Sequence, residues 1–225
     1  MQRTISAMVG KGSVNHNSRK FRAENVDGTR THLNIDYCNE NIKTVYHELF
    51  DEALERYNAK QIRSDRKIKD YYEKIRSSKQ EKPSHEIILQ VGGKGNMNAD
   101  TENGELAKQI LDEYYQGFQE RNPQLRVFSA HLHMDEATPH LHIDFVPFTT
   151  GSKRGLDTRV SLKQALATQG FKGGSRGDTE WSQWIQSEKE QLAALMARYG
   201  IEWEHKGTHE KHLSVLDYKK QEREK

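Results

Sequence analysis

Cysteine is nearly absent from this chain. Cys38 is the only one in 225 residues, which excludes an intramolecular disulfide framework. Long apolar runs are absent too: none approaches the roughly 20 residues of a membrane span, and the N-terminus lacks an apolar signal core. The simple reading is a cytoplasmic protein with no membrane insertion. Hydrophobic residues make up 33% against 30% charged, so the core is thin and much helix surface is solvated. Charge of one sign is lacking as well. The 35 Lys+Arg and 33 Asp+Glu leave a net +2, so only the distribution of charge can speak for or against nucleic acid. Some chemistries fail on spacing. Gly92-Gly93-Lys94-Gly95 lacks the spacing and the Ser/Thr of a phosphate loop. His47-Glu48 and His85-Glu86 lack a second histidine at the zinc-protease distance, and His209-Glu-Lys-His212 is one residue too short for it.

The length suits one domain of moderate size. Extended segments are expected at Thr4–Val9, Leu33–Tyr37, Glu86–Val91, Leu125–His133 and His140–Phe148. Helical periodicity covers about Thr44–Asn58, Ser64–Ile75, Glu105–Glu120, Leu162–Ala167 and Thr179–Tyr199. Together these predict an α+β fold in which the strands form one antiparallel sheet. Trp181, Trp184 and Trp203 read as core residues rather than base-stacking platforms. The charged run Lys219–Lys225 reads as the start of a further helical region, giving a main domain over 1–210 and a truncated segment over 211–225.

What the chain has in abundance is histidine, in one place. His131-Leu-His-Met-Asp-Glu-Ala-Thr-Pro-His-Leu-His142 holds four of the 11 histidines in twelve residues. Apolar runs flank it on both sides, with turn residues between, so it reads as strand, short connection, strand. Side chains two apart share a strand face, so His140 and His142 point together. His133 and His131, which also share a face, can meet them from the neighbouring strand. Three imidazoles converging make a metal site with positions open to substrate oxygens. A structural zinc site would favour four ligands and cysteine, and the one cysteine is far away.

The run His133-Met-Asp-Glu136-Ala-Thr-Pro-His140-Leu-His142 resembles the metal motif of the Mob/Pre family, the plasmid mobilisation relaxases also called plasmid recombination enzymes. Asn15-His16-Asn17-Ser-Arg19, after an apolar run, resembles the family segment that carries a histidine nucleophile. Arg30-Thr-His32-Leu-Asn34 and His212-Leu-Ser-Val-Leu-Asp-Tyr218 match more weakly, in the family's order. The resemblance selects His133, His140 and His142 as ligands for manganese or magnesium, although imidazoles alone would also suit zinc, nickel or cobalt. It implies that helices pack mainly on one face of the sheet and leave the other face for metal and DNA. It also implies that a further C-terminal region is missing here.

The chemistry the resemblance implies is transesterification. His16 would attack a phosphodiester, form a phosphoramidate with the 5′ phosphate, release a free 3′ hydroxyl and later religate the strand. Glu136 would orient the nucleophile or the metal site. Tyr37 is the rival nucleophile: some family members carry a tyrosine directly after His-Leu-Asn, where this chain has Ile35. Asn15, Asn17, Arg19, Lys20, Arg22, Lys153, Arg154, Arg159, Lys172 and Arg176 are the expected strand contacts, and Arg63–Lys69 is a further basic stripe. The implied partner is single-stranded DNA or an origin hairpin with flanking duplex, in a bacterial cytoplasm, with transfer machinery as a further partner. The alternatives are a rolling-circle replication initiator with a tyrosine nucleophile, a non-catalytic origin-binding module, and a phosphohydrolase acting on small substrates.

Overall fold

A computed structural model describes residues 1–10 and 12–205. The 211–225 segment and its motif therefore lie outside the described residues. In chain order the elements are β1 (Gln2–Arg3), β2 (Ile5–Val9), α1 (Val14–Asn17), β3 (Ile35–Asn39), α2 (Ile42–Ala59), α3 (Tyr71–Arg76), β4 (His85–Val91) and α4 (Glu102–Gln116). They continue with α5 (Phe118–Arg121), β5 (Leu125–His133), β6 (His140–Thr149), β7 (Arg159–Val160), α6 (Leu162–Thr168), α7 (Glu180–Arg198) and β8 (Glu202–Trp203).

The main sheet has the order β2-β4-β6-β5-β3, antiparallel throughout, with β7 added to the end of β6. Register follows the hydrophobic alternation. Leu132 pairs Leu141, and Leu89 pairs Leu141 from the other side; His133 pairs His140, His131 pairs His142 and Glu86 pairs Asp144. One face is therefore aliphatic and the other polar, because a strand's side chains alternate.

The aliphatic face, with Ile87, Leu89, Ala130, Leu132, Leu141, Ile143 and Phe145, is covered by α4, α6 and α7, which supply Ile110, Leu111, Leu166, Trp184, Leu192 and Met196. Helix starts are capped by the residues expected to do so. Thr101 accepts from Gly104 N at α4, Ser161 from Gln164 N at α6, and Thr179 forms a reciprocal box with Ser182 at α7. The α+β sheet with helices on one face stands as expected. The polar face also carries a roof at its far end: α2 and α3 pack Val45, Phe50, Tyr71 and Ile75 onto Phe128 and Val146. A register shift between Val127 and Ser129 turns Phe128 toward that roof.

The expected helix over 64–75 is a correction. A short turn spans Ser64–Arg66, and α3 begins only at Tyr71, where Asp70 accepts from Glu73 N. Arg63 closes on Asp65 at 2.7 Å, so the Arg63–Lys69 stripe belongs to a loop. Helical periodicity had been counted across that break. No helix among the described residues is long and apolar enough to cross a membrane.

Candidate active site

Three histidines meet at the open end of the polar face. Each ring has one nitrogen tied to an oxygen acceptor. His133 Nε2 donates to the Asn17 carbonyl at 2.8 Å, His140 Nδ1 to the Thr138 carbonyl at 2.8 Å, and His142 Nδ1 to Glu86 Oε1 at 2.6 Å. Those bonds fix the tautomers and leave the other nitrogens with free lone pairs. His133 Nδ1 and His140 Nε2 lie 3.4 Å apart, and His142 Nε2 is buried with no hydrogen-bond partner. One ligand atom from each of the three lies within 4.8 Å of the others. Three convergent lone pairs and an orphaned buried nitrogen fit a divalent ion with open coordination positions. A second grouping, His133 with Asp135 and Glu136, fits less well because Asp135 is already paired. Burial favours the neutral form of His133 and His142. It lowers His133 and pushes His142 down to about 4, against the opposing pull of Glu86.

His16 comes to this centre from the short α1, directly after the edge strand β2. Gly12, at φ +66, lets the chain turn back over the sheet. The His16 ring centroid lies 6.2 Å from that of His133 and 6.3 Å from that of His142. Its Nε2 is 3.6 Å from Glu136 Oε1, and the same oxygen is 3.7 Å from His140 Nε2. Glu136 therefore stands between the expected nucleophile and an expected ligand. Asn25 holds its other oxygen at 2.6 Å. Burial lowers the His16 pKa; Glu136 opposes this and Arg19 adds to it. The lowered pKa favours the neutral imidazole, whose Nε2 also lies 3.4 Å from Arg19 Nη1.

The Mob_Pre profile, described as plasmid recombination enzyme, matches residues 13–220. The chain belongs to the Mob_Pre family. Among curated relatives it is 26% identical over its whole length to a plasmid recombination enzyme type 2 of Staphylococcus aureus, covering 46% of that protein. It is 27% identical over 68% of its length to a type 3 enzyme of Mammaliicoccus lentus, covering 33% of that one. The chain thus spans less than half the length of these relatives. Its fold matches the MobM relaxase domain solved with manganese and a 22-nucleotide origin DNA of plasmid pMV158. At pH 5.5 the TM-score is 0.57 at 20% identity, over 97% of this chain and 99% of that one; for the pH 4.6 structure it is 0.58, over 96% and 99%.

Within this Mob_Pre domain, the residues expected at the DNA divide into those beside the centre and those held away from it. Asn15, Lys20 and Arg22 are exposed beside His16. Asn17 is a correction: it is 1% exposed, and its amide donates to Glu86 and Asp144, so it braces the site from beneath. Arg19 is another. Its guanidinium, 7% exposed, is spent on Asp135 and Glu136. Lys153, Arg154 and Arg159 lie past Thr149, at the opposite end of β6 from His140; a ten-residue strand spans about 30 Å. Arg159 donates to Ser152. Lys172 and Arg176 occupy the loop between α6 and α7, on the helix-covered side. Tyr37 also faces that side. Its hydroxyl donates to Asp112 at 2.7 Å and its ring stacks on Tyr115 at 4.0 Å, while burial raises its pKa further from reach.

His131, the fourth histidine of the cluster, is fully buried. Its Nδ1 bonds Asp36 at 2.6 Å and its Nε2 lies 3.2 Å from Ser129 Oγ, so neither nitrogen faces the centre. The strand period already places Asp144 on the His140/His142 face as a candidate support, whereas the roles of Asp135 and Asn34 were not foreseen. Asp135, in the turn between the histidine strands, is the buried partner of Arg19 and accepts from Thr31. Asn34 Oδ1 accepts from the backbone of Met134 and Asp135, which gives the weaker Arg30–Asn34 match a job: it cradles the ligand turn. Asp144, on the His140/His142 face, is buried and pushed up to about 7 by burial and by Glu86. Glu86 was overlooked, although an acid set among aliphatic residues on a central strand was its signal.

Proposed function

We propose that this chain is the relaxase part of a longer plasmid recombination enzyme. In this reading it cuts one DNA strand at a transfer origin and holds the 5′ phosphate on His16 until religation. The observation that supports it best is His16 Nε2, neutral and 3.6 Å from Glu136, on the rim of three histidines with convergent lone pairs. His133, His140 and His142 would hold manganese or magnesium, which when bound draws charge from a non-bridging phosphate oxygen.

The protein's own part is then positional. Glu136 and Arg19 fix the attitude of the His16 ring. A bond forms between the imidazole nitrogen and phosphorus as the bond to the 3′ oxygen breaks. That oxygen leaves with the electron pair and takes a proton, giving the 3′ hydroxyl. Because the phosphoryl bond energy is conserved, the same hydroxyl can return and rejoin the strand. Lys20 and Arg22 flank Phe21, whose ring is 62% exposed, and with Asn15 they form a cationic and aromatic surface beside the nucleophile for single-stranded DNA or the single-stranded part of an origin hairpin. Docking to transfer machinery would belong to the whole protein.

The test is a trap of the covalent complex. The protein is incubated with manganese and single-stranded DNA carrying its cognate origin, digested without acid, and the linked residue identified by mass spectrometry. An adduct on His16 is the expected result. An adduct on Tyr37 would keep strand transfer and overturn the histidine mechanism. Origin binding without any adduct, where the longer protein does cleave, would favour a binding module.

A further inference from the structure

Glu86 is 3% exposed and lies on β4, one strand away from two of the three histidines. Its carboxylate is filled by three donors from two segments of the chain. Oε1 accepts from His142 Nδ1 at 2.6 Å and from Asn17 Nδ2 at 2.8 Å; Oε2 accepts from the Gly12 backbone N–H at 2.7 Å. The first donor belongs to an expected metal ligand. The other two belong to the turn and helix that carry His16. Asn17 adds a second link, since its carbonyl accepts from His133 Nε2.

Gly10 supplies an independent observation. Its φ is not in the left-handed region, so its backbone does not call for glycine. Space does. A Cβ at Gly10 would sit 1.8 Å from Glu86 Oε2 and 2.2 Å from the carboxyl carbon. The end of β2 is thus shaped around this carboxylate, which three hydrogen bonds hold in place.

We propose that Glu86, seated against Gly10, is the positioning residue that couples the metal centre to the nucleophile. It fixes the His142 tautomer so that Nε2 faces the ion, and it pins the turn bearing His16 to the same point. This rests on the metal-centred reading above. An orienting carboxylate behind a histidine ligand raises the ligand's basicity, and losing one typically costs 10–100-fold in metal affinity. A carboxamide at this position has one acceptor oxygen for three donors and would turn an N–H toward one of them.

The test compares the wild type with Glu86→Gln and Gly10→Ala. The second variant removes no polar atom and only displaces the carboxylate. Manganese affinity, read by electron paramagnetic resonance titration without DNA, is expected to fall at least about 10-fold in both. Asp36→Asn, beside the non-ligand His131, should leave it unchanged. Nitrogen-15 NMR of the metal-free wild type should show His142 protonated on Nδ1, and Gly10→Ala should lose that uniform tautomer. Affinities within twofold of wild type in folded variants would overturn the proposal. So would an Nε2-protonated His142 in the wild type, a reading that holds even if the variants fail to fold. A wild type that binds no manganese would overturn the metal-centred reading, while the tautomer would still judge Glu86.

Discussion

Arg19 grips Asp135 with two parallel hydrogen bonds, Nε to Oδ2 at 2.9 Å and Nη2 to Oδ1 at 2.5 Å, and the carboxylate is fully buried. Nη2 reaches on to Glu136 at 2.9 Å, and Nη1 donates to the His16 carbonyl at 3.1 Å. The end of α1 and the turn between the ligand strands are thereby fastened together. Removing one member of a buried pair leaves a charge uncompensated, so Asp135→Ala should cost about 3–5 kcal/mol in denaturant unfolding. A cost below 1 kcal/mol would mean that the pair does not hold the turn.

The pH dependence of adduct formation follows from His16. Its folded pKa is lowered from 6.5 by burial, so the reactive neutral form persists below that value. With manganese saturating at each pH, the single-turnover rate should rise through an inflection below 6.5 and stay level above it. Saturating manganese keeps His142, whose pKa burial pushes down to about 4 in the metal-free site, out of this profile. An inflection above 6.5 would contradict the burial of His16.

Of the four clustered histidines, three should matter for metal. His140→Ala is expected to abolish manganese binding at micromolar protein in a calorimetric titration. His131→Asn should leave binding within about threefold, because both nitrogens of His131 already serve Asp36 and Ser129. Equal losses in the two variants would mean that the ligand set is drawn wrongly.

Phe21 offers a different kind of test, since it bears on strand binding and not on chemistry. Phe21→Ala should weaken binding of single-stranded origin DNA by about 1–3 kcal/mol, the usual worth of one stacked base. Lys20→Ala should instead flatten the salt dependence of binding, as one phosphate contact is lost. Fluorescence anisotropy over a salt series separates the two. Unchanged affinity in Phe21→Ala would leave this aromatic ring without a ligand.

The histidine strands were legible in the sequence because register and alternation are local properties. His133, His140 and His142 lie on one short stretch, and a period of two brings them together. His16 could be named only by resemblance, since its place over the sheet depends on Gly12 and on contacts to residues far along the chain. Glu86 was hidden for the same reason: its partners come from residues 12, 17 and 142. Arg19 and Asn17 were misread because a basic or amide residue near a nucleophile looks the same in sequence whether it faces solvent or a buried acid. The α3 boundary was lost because periodicity does not register a capped restart at Asp70.

The roof of α2 and α3 gives the polar face a direction. Val146 is under that roof, and six residues back along the same strand His140 is at the open edge. Those six residues span about 20 Å, and the face between them is taken up by Asn17 and the Gly12 turn lying on Asp144 and Glu86. A polymer would therefore come to the histidines across the rim that carries His16, and not along the strands.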